Sequence, residues 1–180
     1  SKKFLIIGNI NAVTYKEVFP LIKENKLWLG ASIHSGDREF RVPDNYPLEA
    51  AGYRVDSEGN KYIRVKGVRW FTNMDYEERH DSIVLYKKSS PAEYSKYDRY
   101  DAINVDKTAD IPMNYDGAMG VPITFLDKYN PEQFEIISSN ELRLDDAVPF
   151  KDHGLVKDKD SAINGKPTYV RVVIKNRKQI

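Results

Sequence analysis

The chain has 180 residues, of which 41% are hydrophobic, so it can form one ordinary domain or two small lobes around a buried core. Its 28 Lys and Arg nearly balance its 27 Asp and Glu, so any nucleic-acid binding or acidic-ligand function requires a local patch. The lack of cysteine excludes a disulfide framework and thiolate metal sites and is compatible with a cytoplasmic location. No apolar run has the length of a membrane span, so we expect no membrane association.

The first element is an apolar run at residues 4–7, followed by Gly8 and Asn9. Because the run is apolar on both faces, it predicts a fully buried parallel strand that needs neighbouring strands and covering layers. A strand of this kind is typical of the interior of a doubly wound sheet. We therefore expect the chain to be a fragment of a larger protein.

A helix is predicted next. Thr14 and Glu17 have the spacing of a capping box, and the apolar residues that follow recur at helical spacing. Pro20 lies inside this pattern and is expected to bend or split the helix. Asn25 is expected to end it.

Residues 30–43 have the composition of a loop and leave the expected carboxyl side of the sheet, where doubly wound folds bind their ligands. Arg38 and Arg41 are candidates for contacts to phosphates from this loop. The alternative is that Asp37 and Glu39 pair with these arginines locally.

Alternation of apolar and charged residues predicts a hairpin, with strands at 52–56 and 61–66 joined by a turn at 57–60. Residues 67–74 and 82–87 are predicted as two further strands that pair antiparallel. The periodicity then fails until about residue 118, so we place a boundary near residue 88. The last clear strand is predicted at 168–175.

Standard catalytic motifs are missing from the sequence. His34, His80 and His153 are widely spaced and lack cysteine partners, so we expect no metal site. Ile33 occupies the position where a serine-nucleophile elbow needs its first glycine, and no phosphate-binding loop is present. A small-molecule hydrolase on an unrelated α/β scaffold therefore has little support.

Several long stretches resemble one enzyme family. Residues 4–12, 15–23, 28–30, 67–73 and 121–134 are similar, in this order, to the EcoRI-type adenine-specific DNA methyltransferases. This resemblance implies an enzyme that uses S-adenosylmethionine to methylate adenine N6 in double-stranded DNA, in a bacterial restriction-modification system. Such chemistry needs a flipped adenine, acceptors for its amino protons and an aromatic ring stacked on the base.

The resemblance also implies a fold and a division of the chain. Residues 1–88 correspond to the late strands and helix of a Rossmann-like methyltransferase sheet, and the chain looks like the C-terminal portion of the enzyme. Residues 89–180 correspond to an irregular α+β region for recognition of the DNA target.

The family's cofactor loop and its Asn/Asp-Pro-Pro-Phe/Tyr catalytic loop are missing here. We therefore assign no catalytic residue and expect this chain alone to be inactive. Asn9 and Asn11 are candidates for lining the active cleft, or they form a turn at the strand end. Lys128, Tyr129 and Asn130 are candidates for DNA contacts, although they also read as a helix entry. The alternative function is a non-catalytic DNA-binding or assembly module on a degenerate methyltransferase scaffold.

Overall fold

The computed structural model describes residues 2–47, 49, 51–90, 92–138, 142–144 and 154–177. This part of the chain has a mixed α/β structure with short strands and few helices. The strands are β1 (Leu5–Asn9), β2 (Trp28–Leu29), β3 (Asp37–Val42), β4 (Tyr53–Val55), β5 (Lys61–Lys66), β6 (Val68–Thr72), β7 (Ala102–Asn104), β8 (Ala118–Pro122), β9 (Phe134–Ile136), β10 (Leu155–Val156), β11 (Ala162–Ile163), β12 (Lys166–Pro167) and β13 (Arg171–Asn176). The helices are α1 (Phe19–Lys23) and the 3-10 helices Ile10–Thr14, Glu77–His80, Thr108–Asp110, Ile123–Lys128 and Asp158–Ser161.

The first sheet has the strand order β1, β6, β2, and both pairings are antiparallel. The predicted parallel orientation of β1 is therefore wrong. Its predicted full burial is also wrong, because Leu5, Ile6 and Ile7 are 51%, 57% and 43% exposed at the edge of the sheet. An apolar run indicates a strand, but it carries no information about the direction of a partner that comes much later in the chain.

The segment predicted as one capped helix, from Thr14 to Asn25, contains only the short helix α1, and the 3-10 helix Ile10–Thr14 precedes it. Thr14 donates its hydroxyl hydrogen bond to the carbonyl of Asn11 at 2.8 Å, so the predicted capping box is wrong. Pro20 lies in the first turn of α1, where a missing amide hydrogen costs no helical hydrogen bond. Asn25 follows α1 with a left-handed φ of 55°, in agreement with its predicted role at the helix end.

A three-stranded antiparallel sheet, with the order β3, β5, β4, follows the first two strands. The interpretation of residues 30–43 as a loop is wrong, because they contain β3. The predicted hairpin is confirmed as β4 and β5, and the Asp56 carboxylate accepts amide hydrogen bonds from Glu58 and Asn60 in its turn. Beyond β5 the chain enters β6 through Gly67, which has a φ of 67°.

The prediction of a strand at 82–87 is wrong. Among the described residues of this segment, only Lys87 forms an isolated bridge, with Pro112. The amide and the carbonyl of Ile83 are both hydrogen-bonded to the side-chain amide of Gln133, each at 2.7 Å. The Gln133 side chain thus makes the two hydrogen bonds that a neighbouring strand would make to Ile83.

The second large sheet has the order β10, β13, β8, β7, and β9 pairs with the other end of β13. Only the pairing of β7 with β8 is parallel in this described sheet. The last predicted strand is confirmed as β13. Most of its side chains are buried, as expected for the centre of a sheet.

One hydrophobic cluster connects the two large sheets. It includes Phe19 and Phe71 from the N-terminal half and Val121, Phe125 and Phe134 from the C-terminal half. Packing therefore continues across residue 88, as expected for layers around a shared core. The assignment of 1–88 to catalysis and 89–180 to recognition remains a prediction about function.

Candidate nucleic-acid interface

A cavity of about 500 Å³ lies where β2, the 3-10 helix Glu77–His80, the segment 81–86 and the 3-10 helix Ile123–Lys128 meet. We call it the aromatic cavity. Its lining residues include Trp28, His34, Tyr76, Arg79, Lys128 and Tyr129.

A stacked cation organises one wall of the aromatic cavity. The Arg79 guanidinium lies 3.8 Å from the centroid of the Trp28 ring and also contacts the side chains of Asn25 and Asp75. Tyr76 donates its hydroxyl hydrogen bond to the Leu29 carbonyl at 2.6 Å, and burial raises the pKa of its phenol. The wall is therefore held by packing and by hydrogen bonds that fix its aromatic rings.

A buried ion pair between Arg69 and Asp127 lies next to the cavity, and Asp127 is one of its lining residues. Arg69 donates two hydrogen bonds to the Asp127 carboxylate, from Nε to Oδ1 at 2.7 Å and from Nη2 to Oδ2 at 2.9 Å. The two side chains are 5% and 6% exposed. Arg69 also donates to the carbonyls of Val68 and His34. This two-point geometry, with its additional acceptors, is what a buried charge pair requires. It ties β6 to the 3-10 helix Ile123–Lys128.

His34 stands beside this pair. Its Nδ1 lies 3.8 Å from Asp127 Oδ1, and its Nε2 lies 2.7 Å from the Ala31 carbonyl. The second contact requires a proton on Nε2, because a carbonyl oxygen only accepts hydrogen bonds. The ring is anchored to its own loop.

The three consecutive residues Lys128, Tyr129 and Asn130 have different surroundings in the structure. Lys128 is exposed and Tyr129 is half-buried, and both line the aromatic cavity. Asn130 is 1% exposed: it donates to the His80 carbonyl and accepts the amide of Glu132. Its amide group serves the backbone, so we leave Asn130 out of the proposed interface.

Arg38 and Arg41 lie in β3, on opposite faces of its sheet. Arg38 folds back and donates to the carbonyls of Ser35 and Asp37. Arg41 is exposed, and its side chain forms no hydrogen bond or ion pair with any described residue. The alternative of local pairing is realised for Glu39, but its partner is Arg54. We leave Arg38 out of the proposed interface as well.

Asn9 and Asn11 lie at the end of β1. The Asn9 side chain donates to the Lys66 carbonyl at 2.7 Å and accepts the Asn11 amide at 2.9 Å, so it forms a turn. Asn11 is exposed, and its carbonyl accepts from Thr14. Their role in lining an active cleft remains a prediction.

No group of three or more His, Asp or Glu side chains in the described ranges is arranged to hold a metal ion. His34 and His80 belong to separate contacts, and His153 lies outside the described residues. None of the described helices is long and apolar enough to cross a membrane.

Sequence reasoning missed most of the aromatic cavity. Trp28, Arg79 and Asp127 come from distant parts of the chain, and no local motif links them. Paired charges such as Arg69 and Asp127 show no sequence period, so only the three-dimensional structure brings them together.

Comparison with known proteins gives a consistent result. The family described as "Adenine-specific methyltransferase EcoRI" matches residues 1–177. The chain is 50% identical over 179 residues to the Type II methyltransferase M.EcoRI of Escherichia coli. The aligned region covers 98% of this chain and 51% of that protein. It is 36% identical over 191 residues to the Type II methyltransferase M.MpnI of Mycoplasma pneumoniae, which covers 99% of this chain and 58% of that protein.

A third relative is the Type II methyltransferase M.MgeORF184P of Mycoplasma genitalium, which is 35% identical over 185 residues, 98% of this chain and 58% of that protein. The chain thus spans between half and three-fifths of the length of these curated relatives. No solved structure matches it.

Proposed function

Because the chain belongs to the EcoRI family of adenine-specific methyltransferases, we propose that it is part of an enzyme that methylates adenine N6 in double-stranded DNA. The observation that carries this proposal is the family match over residues 1–177, together with 50% identity to the E. coli relative. The proposal includes a bacterial restriction-modification system and a cytoplasmic location, since the named relatives are bacterial Type II methyltransferases.

The proposed methyl donor is S-adenosylmethionine, which supplies an electrophilic methyl group on a sulfonium. The described residues do not fit a nucleoside cradle at the end of β1. A Cβ placed on Gly8 would lie 3.0 Å from the Phe71 ring, so this ring already fills the side of Gly8 on which a ligand could take the place of a side chain. The Asn9 side chain is already occupied by Lys66 and Asn11. We assign no step of the transfer to these residues.

For the fold, we propose that β1 adjoins a Rossmann-like sheet formed by further chain of the complete enzyme. Two observations support this. The edge strand β1 exposes three consecutive aliphatic side chains, which an isolated soluble sheet avoids. The named relatives are also much longer than this chain.

The aromatic cavity supports a role in DNA contact. It combines the rings of Trp28, Tyr76 and Tyr129 with the exposed cation Lys128, while Arg79 is already engaged by Trp28, Asn25 and Asp75. Aromatic rings and cations together bind unstacked bases and phosphates, which base-flipping enzymes require. We propose Lys128 and Tyr129 as the DNA-contacting residues of this cavity.

The alternative of a non-catalytic DNA-binding or assembly module has less support, because the three named relatives are all methyltransferases. It predicts DNA binding without any methyl transfer, so activity separates the two functions.

The test uses a chimera in which this chain replaces the matching 179-residue region of the E. coli relative. We expect the purified chimera to transfer tritiated methyl groups from S-adenosylmethionine to duplex DNA. A folded chimera that binds DNA but transfers no methyl group would contradict the enzymatic function and favour the non-catalytic module.

A further inference from the structure

The sheet formed by β3, β5 and β4 stands apart from the body of the protein. None of the residues of these three strands belongs to either of the buried hydrophobic clusters among the described residues. Two short segments of chain connect it to the rest of the protein: residues 30–36, between β2 and β3, and Gly67, between β5 and β6. Packing in the hydrophobic core therefore does not explain which side chains this sheet carries.

The pairing register sorts these side chains onto two different faces. Residues directly opposite each other in a sheet point to the same side, and neighbours along a strand point to opposite sides. Glu39 lies opposite Arg64, Arg41 lies opposite Tyr62, and Arg54 lies opposite Tyr62 on the other edge. We call this side the charged face; its residues are Asp37, Glu39, Arg41, Arg54, Tyr62, Arg64 and Lys66.

The opposite side is the apolar face. It carries Phe40, Val42, Tyr53, Val55, Ile63 and Val65, together with Arg38 and Lys61. Both cations on this face are held by main-chain carbonyls, Arg38 by Ser35 and Asp37 and Lys61 by Asp44. Their polar ends are therefore already engaged.

An internal pair organises the charged face. Arg54 donates to both carboxylate oxygens of Glu39, at 2.8 and 2.7 Å, and lies 4.2 Å from the centroid of the Tyr62 ring. The hydrogen bond from Arg54 holds the pKa of Glu39 below its usual range. Glu39 is thus a paired carboxylate at neutral pH and does not repel an approaching anion as a free acid would.

Three cations of the charged face remain available. Arg41, Arg64 and Lys66 are exposed, and none forms an ion pair or a side-chain hydrogen bond with a described residue. The face carries four cations and two carboxylates. Of the two carboxylates, Glu39 is paired with Arg54, and Asp37 has no ion pair with a described residue. The face therefore offers positive charge to a polyanion, although the whole chain is nearly neutral.

We propose that the charged face of the β3, β5, β4 sheet contacts duplex DNA, with Arg41, Arg64 and Lys66 at the phosphates. This inference rests on the proposed function, which supplies the DNA. A ribbon of two strands fits the major groove, and beyond the reach of β4 this sheet consists of β3 and β5 alone. The apolar face then points away from the DNA.

The test compares the two faces in the same strand. Arg41→Ala and Arg38→Ala each remove one arginine from β3, but from opposite faces. The affinity of the 180-residue chain for a fluorescein-labelled duplex of about three helical turns is measured by anisotropy between about 50 and 200 mM salt. The double variant Arg41→Ala, Arg64→Ala completes the set.

We expect the double variant to bind about tenfold more weakly at the lower salt and to reduce the salt slope by about 2. Arg41→Ala alone reduces the slope by about 1, and Arg38→Ala leaves affinity within about twofold. Circular dichroism of each variant verifies that the fold is retained.

Equal losses in Arg38→Ala and Arg41→Ala would overturn the proposal, and so would a folded wild-type chain without affinity for the duplex. The chimera's methyl transfer is scored separately. An active chimera with no difference between the faces rejects only the role of this sheet, whereas face-dependent binding with an inactive chimera rejects the enzymatic function.

Discussion

At the scale of single residues, the contact with the greatest expected effect on stability is the ion pair of Arg69 and Asp127. Each side chain is about 5% exposed, so neither charge is solvated by bulk water. Removing one member of a buried pair leaves the other charge uncompensated, which costs more than the pair contributes relative to apolar residues. The pair therefore fixes the position of the helix that carries Lys128.

We predict that Asp127→Asn lowers the free energy of unfolding by about 3 to 5 kcal/mol, measured by urea denaturation. The control is Lys26→Ala, which breaks an exposed pair with Glu24 and should cost less than about 1 kcal/mol. Equal small effects of both substitutions would show that Arg69 finds sufficient compensation in the carbonyls of Val68 and His34.

Tyr97 gives the protein a pH dependence on the alkaline side. Burial raises the pKa of its phenol above the usual value of 10.0. A group whose pKa is raised by folding contributes stability that is present below the unfolded pKa and is lost as the pH rises above it. The stability of the wild type should therefore fall above about pH 10.

The measurement is the urea midpoint from about pH 9 to about pH 11. Tyr97→Phe removes the ionisable group, and we expect its midpoint to fall less steeply with pH than that of the wild type. Tyr169→Phe alters a tyrosine that is 85% exposed and should leave the slope unchanged. A wild-type slope in Tyr97→Phe would contradict the assignment.

Single residues also show where sequence reasoning reaches its limit. Asn130 was predicted as a helix entry, and the structure has a turn there, in which its side chain accepts the Glu132 amide. Arg38 and Arg41 were not distinguishable, because their separation by faces follows only once β3 is known to be a strand. The many Gly and Pro residues around β3 favoured a loop instead.

At the scale of elements, short-range patterns were the predictable ones. The hairpin of β4 and β5 follows from alternation and from turn residues between adjacent strands. The direction of β1 could not be predicted in this way, because its partner β6 comes much later in the chain, after β5. The segment 82–87, wrongly predicted as a strand, is largely apolar, but the backbone of Ile83 is hydrogen-bonded to the Gln133 side chain, and no sequence period predicts that contact.

The edge strand β1 supplies the prediction at this scale. Ile6→Lys changes a side chain that is 57% exposed, so the unfolding free energy of this chain should shift by less than about 0.5 kcal/mol. In the chimera the same substitution should reduce methyl transfer by more than about tenfold, because a lysine is costly at a position that the rest of the enzyme buries.

Met113→Lys is the matched control, since Met113 is 54% exposed and lies outside β1. It should leave both measurements near those of the unsubstituted proteins. An Ile6→Lys chimera with undiminished activity would show that the outer side of β1 stays open in the complete enzyme.

At the scale of the whole molecule, one hydrophobic cluster joins residues from both halves, while the sheet of β3, β5 and β4 remains outside it. The family and the general α/β class were predictable, because long strings of the sequence resemble the family along most of the chain. The arrangement of the cavity and of the two-faced sheet was not, since both depend on contacts between distant segments.

The proposed adenine-N6 methyltransferase function is tested by the identity of the methylated nucleoside that the chimera produces. DNA treated with the chimera and S-adenosylmethionine is digested to nucleosides and analysed by mass spectrometry, with heat-inactivated chimera as the blank. We expect N6-methyl-2′-deoxyadenosine above the blank. Methylated cytosine, or no methylated nucleoside from a folded chimera, would contradict the proposed function.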